Sequence, residues 1–414
     1  MGAARRRRAA ADGALTPPDQ RARVQLRQLG SIAALPAAEW NALYPGDYPL
    51  VRHDFLDALE QHGCATPDTG WTPCHAVLED ESGVAAVAPL YLKTHSYGEF
   101  VFDFSWAEAS HRIRQSYYPK LVSTIPFTPS AGPRIGARDA AARSEMARLL
   151  PALAKHLGVS SFHGLFLDRD DNAAFASAGC IERNDVQFHW RNRGYTDFAA
   201  FLATLTSEKR KKILRERRRV AEAGLRFEWR RGDELSEAQW MQVYALYANT
   251  YEEHGRPPYL SLEFFLDYAR KAATPVRLIL AYAERSMVAV AITLVGESAS
   301  GGTLYGRHWG AADRYHSLHF ETCYYQGIEF CIREGLQHFD AGAQGEHKLS
   351  RGFEPVITHS QHWISDARLR GAVAHAMREE RAWVAQRGTI LGSHTPFKQQ
   401  IDVDVDVETA PSDG

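Results

Sequence analysis

A repeat constrains this chain more than any other feature. Residues 74–92, C-H-A-V-L-E-D-E-S-G-V-A-A-V-A-P-L-Y-L, read as two strands joined by a tight turn at Glu81-Ser82-Gly83. Residues 276–295, V-R-L-I-L-A-Y-A-E-R-S-M-V-A-V-A-I-T-L-V, read the same way, and M-V-A-V-A echoes V-A-A-V-A. Each hairpin follows a predicted helix with an apolar face: Phe55, Leu56 and Leu59 in one, Phe264, Phe265 and Tyr268 in the other. Each is followed by an aromatic stretch, a long helix and, after a glycine, a short strand. The last two are A-K-H-L-G-V-S-S-F-H-G-L-F-L (154–167) and C-I-R-E-G-L-Q-H-F-D-A-G (331–342). A chain of 414 residues exceeds one ordinary core. Two copies of one mixed α/β unit account for the length. The expected units are 24–190 and 191–394, with a disordered basic extension at 1–23 and a disordered acidic tail at 395–414.

Charge is regional. The net of −2 hides +5 over residues 1–27 (seven Arg, two Asp) and +6 over 208–219 (eight Lys/Arg, two Glu), while residues 402–414 carry five acids and no base. The run T-S-E-K-R-K-K-I-L-R-E-R-R-R-V-A-E-A-G (206–224) predicts a helix. Thr206 or Ser207 stands at its N-cap, Gly224 at C′, and Ile213 and Val220 form its one buried stripe. Lys209, Arg210, Lys212 and Arg215 on it suit a polyanion such as tRNA, and a solvated surface helix is the plainer reading. No run approaches ~18 apolar residues, so no membrane span is expected, and no apolar segment follows the basic start to make a secretion signal. Five cysteines with no C-x-x-C pair suggest reduced thiols and a cytoplasmic protein. Heavy alanine and arginine usage points to a bacterial source.

Chemistry-bearing residues gather in one place. Residues 339–355 read F-D-A-G-A-Q-G-E-H-K-L-S-R-G-F-E-P. They put Asp340, Gln344, Glu346, His347, Lys348 and Arg351 just past a short strand, where α/β proteins place ligands. The counterpart in the first copy, F-H-G-L-F-L-D, lacks the cluster, which places the chemistry in the second copy. Histidines are plentiful from 308 to 362, and His316 and His319 stand at i and i+3. With no H-E-x-x-H and no cysteine-rich ligand set, no metal is expected. The absence of G-x-S-x-G disfavours a serine hydrolase.

Seven motifs in order carry a resemblance: F-V-F-D-F-S-W-A (100–107), Y-Y-P-K-L (117–121), P-F-T-P-S-A-G-P-R (126–134), L-T-S-E-K-R-K-K-I (205–213), L-Y-G-R-H-W-G (304–310), H-F-E-T-C-Y-Y-Q-G-I-E (319–329) and the 339–355 run. The chain resembles the GNAT superfamily, and within it the tandem-domain, Fem-like branch of N-acyltransferases of the peptidoglycan biosynthesis or recognition type. The resemblance spans roughly residues 30–390. It implies two tandem GNAT-like domains, each a mixed α/β sheet flanked by helices, and transfer of an acyl or aminoacyl group to a small-molecule or peptide amine. The donor it implies is acyl-CoA or charged tRNA. The stretch Arg307-His-Trp-Gly310-Ala-Ala312 loosely fits the superfamily's pyrophosphate loop ahead of a helix, with bulky Trp309 as a departure.

Amide formation needs a base for the attacking amine, a holder for the oxyanion and a proton for the leaving group. Asp340, Glu321 and His347 are candidate bases. Tyr324 and Tyr305 are candidate proton donors. Arg307, Gly310, Lys348 and Arg351 are candidate holders of the donor's anionic part. For the acceptor, Asp103, Trp106, Tyr118, Lys120, Arg134, Tyr305 and Gln344 are candidates, because the stiff P-F-T-P-S-A-G-P-R run is suited to shaping a cleft wall. The rival reading is a non-catalytic module of the same fold that binds a cell-wall precursor or peptide. The acyl chain, the acceptor and the oligomeric state are not encoded in any motif.

Overall fold

The two predicted amphipathic helices form as His53–Gln61 and Leu262–Lys271, and they pack on each other. Phe55 meets Phe264 and Tyr268 edge-on, with ring centroids 5.7 and 5.1 Å apart. Each helix lies with its hairpin, so the two copies meet through equivalent apolar faces. In a computed structural model the described residues are 24–398, except 45, 47, 272–274, 297–300, 313–314 and 344. The basic extension 1–23, Gln344 and most of the acidic tail therefore lie outside the described residues. Of the tail, Phe397 is buried and bridges Leu205.

Both hairpins close with two-residue turns. Asp80 pairs with Gly83, and Ala283 with Ser286. Gly83 sits at φ +103°, a conformation that costs a side chain but not a glycine. The hairpins differ in where they go. The first, His75–Asp80 with Gly83–Ala88, forms a four-stranded sheet with Gln25–Leu29 and Gly136–Ala137. The second, Val276–Ala283 with Ser286–Gly296, joins an eleven-stranded mixed sheet. That sheet runs, from one edge, through Leu225–Arg231, the second hairpin, Thr303–Ala311, His338–Asp340, Ile181–Arg191, Glu354–Ile364, Ser161–Leu167, Lys120–Ser123, Tyr91–Lys93 and Trp71–Pro73. The sheet thus continues across the expected joint. The strand Glu354–Ile364, late in the chain, lies between two first-half strands.

Two strand pairs in this sheet are parallel, one per copy: 303–305 with 338–340, and 121–123 with 162–164. Leu304 pairs with Phe339 and Leu121 with Phe162, and each couple faces its own covering helix. The next pairs are Tyr305 with Asp340 and Val122 with His163. Asp340 and His163 are therefore structural counterparts.

The basic helix forms as Ser207–Glu222. Ile213 and Val220 are buried as expected, and so is Glu216 between them. Thr206 is at the N-cap, but its side chain makes no capping bond. No described helix is long and apolar enough to cross a membrane.

Candidate active site

The strands Thr303–Ala311 and His338–Asp340 pair over three residues, and the pairing ends at Tyr305 and Asp340. A bulge sits beside this point. Ile292 pairs with His308 and Thr293 with Gly306, so Arg307 is the extra residue. Bulges re-aim side chains, and here Arg307 Nη2 donates to the Phe127 carbonyl at 2.7 Å. It also lies in the field of Asp340, which partly offsets the burial that depresses the guanidinium's pKa.

Asp340 is 4 % exposed. It accepts from Ser130 Oγ at 2.6 Å and from the Gly342 N–H at 2.9 Å. His189 Nε2 stands 3.7 Å away, and burial lowers its pKa, so it faces Asp340 as a neutral ring at pH 7. Lys348 is 1 % exposed. Burial pulls its ammonium down to about 8, with Asp340 as the main opposing influence. Its Nζ donates to the Gly342 carbonyl and lies 6.0 Å from the Tyr324 ring centre. Tyr324 OH and His347 Nε2 are 2.9 Å apart. Burial, then Arg351, Lys348 and Lys212, keep His347 below its usual pKa and so neutral. Burial also holds the Tyr324 phenol protonated well above its ordinary range. His347, Tyr324, Lys348, Asp340 and Arg307 thus form one strip beside the end of the strand pairing, and Tyr305 meets Tyr48 edge-on beside it.

Helix Gln326–Glu334 and the turns before it build one wall. Gln326 N–H bonds the Glu321 carbonyl five residues back, so residues 321–325 are a π-helical turn, a feature frequent at functional sites. The turn sets Tyr324 toward His347 and Glu321 away from it. Both Glu321 oxygens accept from Arg217 of the basic helix, at 3.0 and 3.1 Å. Glu321 is thereby tied to the basic helix. Arg351 is likewise committed. It is 1 % exposed, bonds both oxygens of Glu216 and lies over the Phe320 ring at 3.4 Å. Its Nε and Nη1 donors and one Nη2 donor bond protein groups, so it is not placed to hold a donor's phosphate.

The pyrophosphate-loop expectation fails at Gly310. Residues 303–311 are strand, and Gly310 pairs with Val290. A Cβ there would lie 2.1 Å from the Leu246 carbonyl oxygen, so helix Glu237–Glu252 and not a ligand requires the glycine. His316 and His319 do not share a site. His316 bonds Ser317 and Arg219, while His319 packs on Trp309 and Tyr324.

Four first-copy candidates lie elsewhere. Asp103 and Lys120 are fully buried with Glu99, bonded to one another and to Ser96, and Tyr118 OH also contacts Ser96. Burial raises Glu99 to about 7, and the neighbouring cations do not fully offset it. Trp106 lies over His163 and edge-on to His362, whose Nδ1 atoms are 2.7 Å apart. This cluster surrounds His163, the counterpart of Asp340, and most of its bonds are internal. Arg134 lies at the end of the first copy's own parallel strand pair. Its guanidinium donates to the carbonyls of Leu165, Gly132, Pro133 and Ser130, and Gly132 bridges Leu167. The P-F-T-P-S-A-G-P-R run nonetheless packs against strands of the large sheet beside Asp340. Ser130 meets Asp340, Phe127 meets Arg307, and the Pro129 carbonyl accepts from Gln187. Ser130, His189 and Tyr48 escaped the sequence reading. Ser130 stood inside the quoted run, but nothing in the run's own pattern pairs it with residue 340.

Lys212 on the basic helix reaches Ser350 at 3.2 Å, beside His347. Lys209 pairs with Glu208, and Arg215 is exposed.

A family profile, FemAB-like, described as peptidoglycan biosynthesis/recognition, matches residues 31–399. The chain belongs to the FemAB-like family. Among solved structures this FemAB-like chain is similar to FemX at 10 % identity and a TM-score of 0.50, over 82 % of this chain and 98 % of that one. The C-terminal domain of a lysylphosphatidylglycerol synthetase from Agrobacterium fabrum is similar at 11 % identity and a TM-score of 0.49, over 84 % and 96 %. A tandem GNAT protein from the clavulanic acid biosynthesis pathway is similar at 11 % and 0.41, over 83 % and 100 %. No curated protein matches the chain. The mixed α/β fold is the one expected from the sequence, and FemX shares it.

Proposed function

We propose that this FemAB-like chain is an N-acyltransferase that moves an acyl or aminoacyl group from an ester or thioester donor to the amine of a peptidoglycan-precursor peptide. The observation that carries the reading is the cluster at the end of the strand pairing of Tyr305 with Asp340, a buried carboxylate, a buried ammonium and a Tyr–His pair along one strip. Asp340 accepts the proton of the attacking amine. The Lys348 ammonium and the Arg307 guanidinium face the negative charge that develops on the carbonyl oxygen, where preorganised charge is most effective. Tyr324, backed by neutral His347, protonates the departing oxygen or sulfur. The donor's anionic part is not assigned to residues 307–312. For a tRNA donor, Lys212 of the basic helix reaches Ser350, beside the strip.

The test is direct. The protein is incubated with a peptidoglycan-precursor peptide bearing a free side-chain amine, and with either acetyl-CoA or a mixture of aminoacyl-tRNAs. Mass spectrometry then reads the peptide. A mass gain with one donor is expected, and that donor is thereby identified. Binding of the peptide with no mass gain from either donor overturns the enzyme reading in favour of the binding module.

A further inference from the structure

Asp340 is held from the other half of the chain. One oxygen takes a local turn bond from the Gly342 N–H. The other takes the Ser130 hydroxyl across 210 residues of sequence. Ser130 is fully buried, and its carbonyl is clamped by Arg134 Nη2 at 2.6 Å and Tyr48 OH at 3.2 Å. Arg134 in turn is fixed by three further carbonyls at the end of the first copy's strand pair. A hydroxyl backed in this way does not follow a moving carboxylate. It fixes the carboxylate in one position, as a supporting shell does for a reacting group.

We propose that Ser130 is a positioning residue for Asp340, and that the Arg134 lock of the first copy serves the second copy through this bond. The proposal rests on the reading of Asp340 as the base. The other groups facing Asp340 are His189 from strand Ile181–Arg191, Arg307 from strand Thr303–Ala311 and Lys348 from the turn Glu346–Arg351. None of them comes from the 126–134 run. A positioning bond acts through the group it holds, so loss of the hydroxyl costs turnover only while residue 340 is a carboxylate, whereas a role in packing costs the same with or without it.

The experiment is a double-mutant cycle read by turnover with the active donor. In Ser130→Ala, kcat is expected to fall about tenfold and KM to stay within about twofold. Ser130→Thr, which keeps the hydroxyl, is expected to turn over within about twofold of wild type. In the Asp340→Asn background the change Ser130→Ala is expected to cost less than about twofold of the residual turnover, because a positioning residue acts through the group it holds. If the alanine variant does not fold, Ser130→Cys, a similar volume with a weak donor, takes its place in the cycle. A tenfold loss that persists in the Asp340→Asn background overturns the proposal, as does a threonine variant as slow as alanine. Full turnover in Asp340→Asn with Ser130 in place sinks the base reading itself, and this proposal with it.

Discussion

At the scale of single residues, Lys348 states the cost of the site. Its ammonium is buried and held at about 8, against 10.5 for a free lysine. Below pH 8 the folded protein carries a charge it would shed more readily than the unfolded chain does. Between about 8 and 10.5 the unfolded chain binds more protons, so this residue's contribution to stability rises with pH. Lys348→Met is therefore expected to unfold at higher denaturant than wild type at pH 7, with the gap closing toward pH 10. The urea midpoint measured at both pH values checks it. Because the proposed role needs the charged form, wild-type kcat is expected to fall as pH rises through about 8. Asp340→Asn is expected to lower transfer at least ~100-fold with an unchanged circular dichroism spectrum, the range for loss of a general base. Near-normal turnover in that variant removes Asp340 as the base.

At the scale of elements, the basic helix Ser207–Glu222 is held down by acids that the sequence reading treated as surface or catalytic groups. Glu216 is buried against Arg351 and Tyr325, and Arg217 spans Glu321 and Glu329. Arg351→Met strands a buried carboxylate and is expected to cost about 3–5 kcal/mol in equilibrium unfolding. Glu321→Gln keeps the shape of the π-helical turn. It is expected to retain turnover within about threefold while losing about 1–3 kcal/mol of stability. A hundredfold loss of turnover with unchanged stability contradicts this and restores Glu321 as a base. The helix pattern itself was readable, since Ile213 and Val220 form the buried stripe it predicted. The burial of Glu216 was not, because a Glu flanked by arginines looks solvated until Arg351, 135 positions away, is placed over it.

At the scale of the whole molecule, the two copies are interlocked and not merely joined. The strand Glu354–Ile364 from the second copy pairs with Ser161–Leu167 on one side and Ile181–Arg191 on the other. Residues 24–190 and 191–398 expressed separately are expected to lack cooperative unfolding transitions, because each leaves unpaired strand edges that invite aggregation. Mixing the two is expected to restore a transition. A cooperative melt of residues 24–190 alone would refute the interlock.

The sequence by itself determined the local elements. Alternation and turn residues marked both hairpins, apolar spacing marked the helices at 53–61 and 262–271, and the strand ending in Asp340 announced the site. These signals are short-range, because backbone geometry imposes its periods over a few residues. Only the tertiary structure decided which charged groups are free to act. Asp340, Lys348, Tyr324 and His347 come together at the end of a strand pair, while Glu321, Arg351 and Arg134 are bound to partners from distant segments. The reason is physical. A buried charge must find a partner wherever the fold supplies one, and nothing in the local sequence pattern records where the chain will bring that partner from.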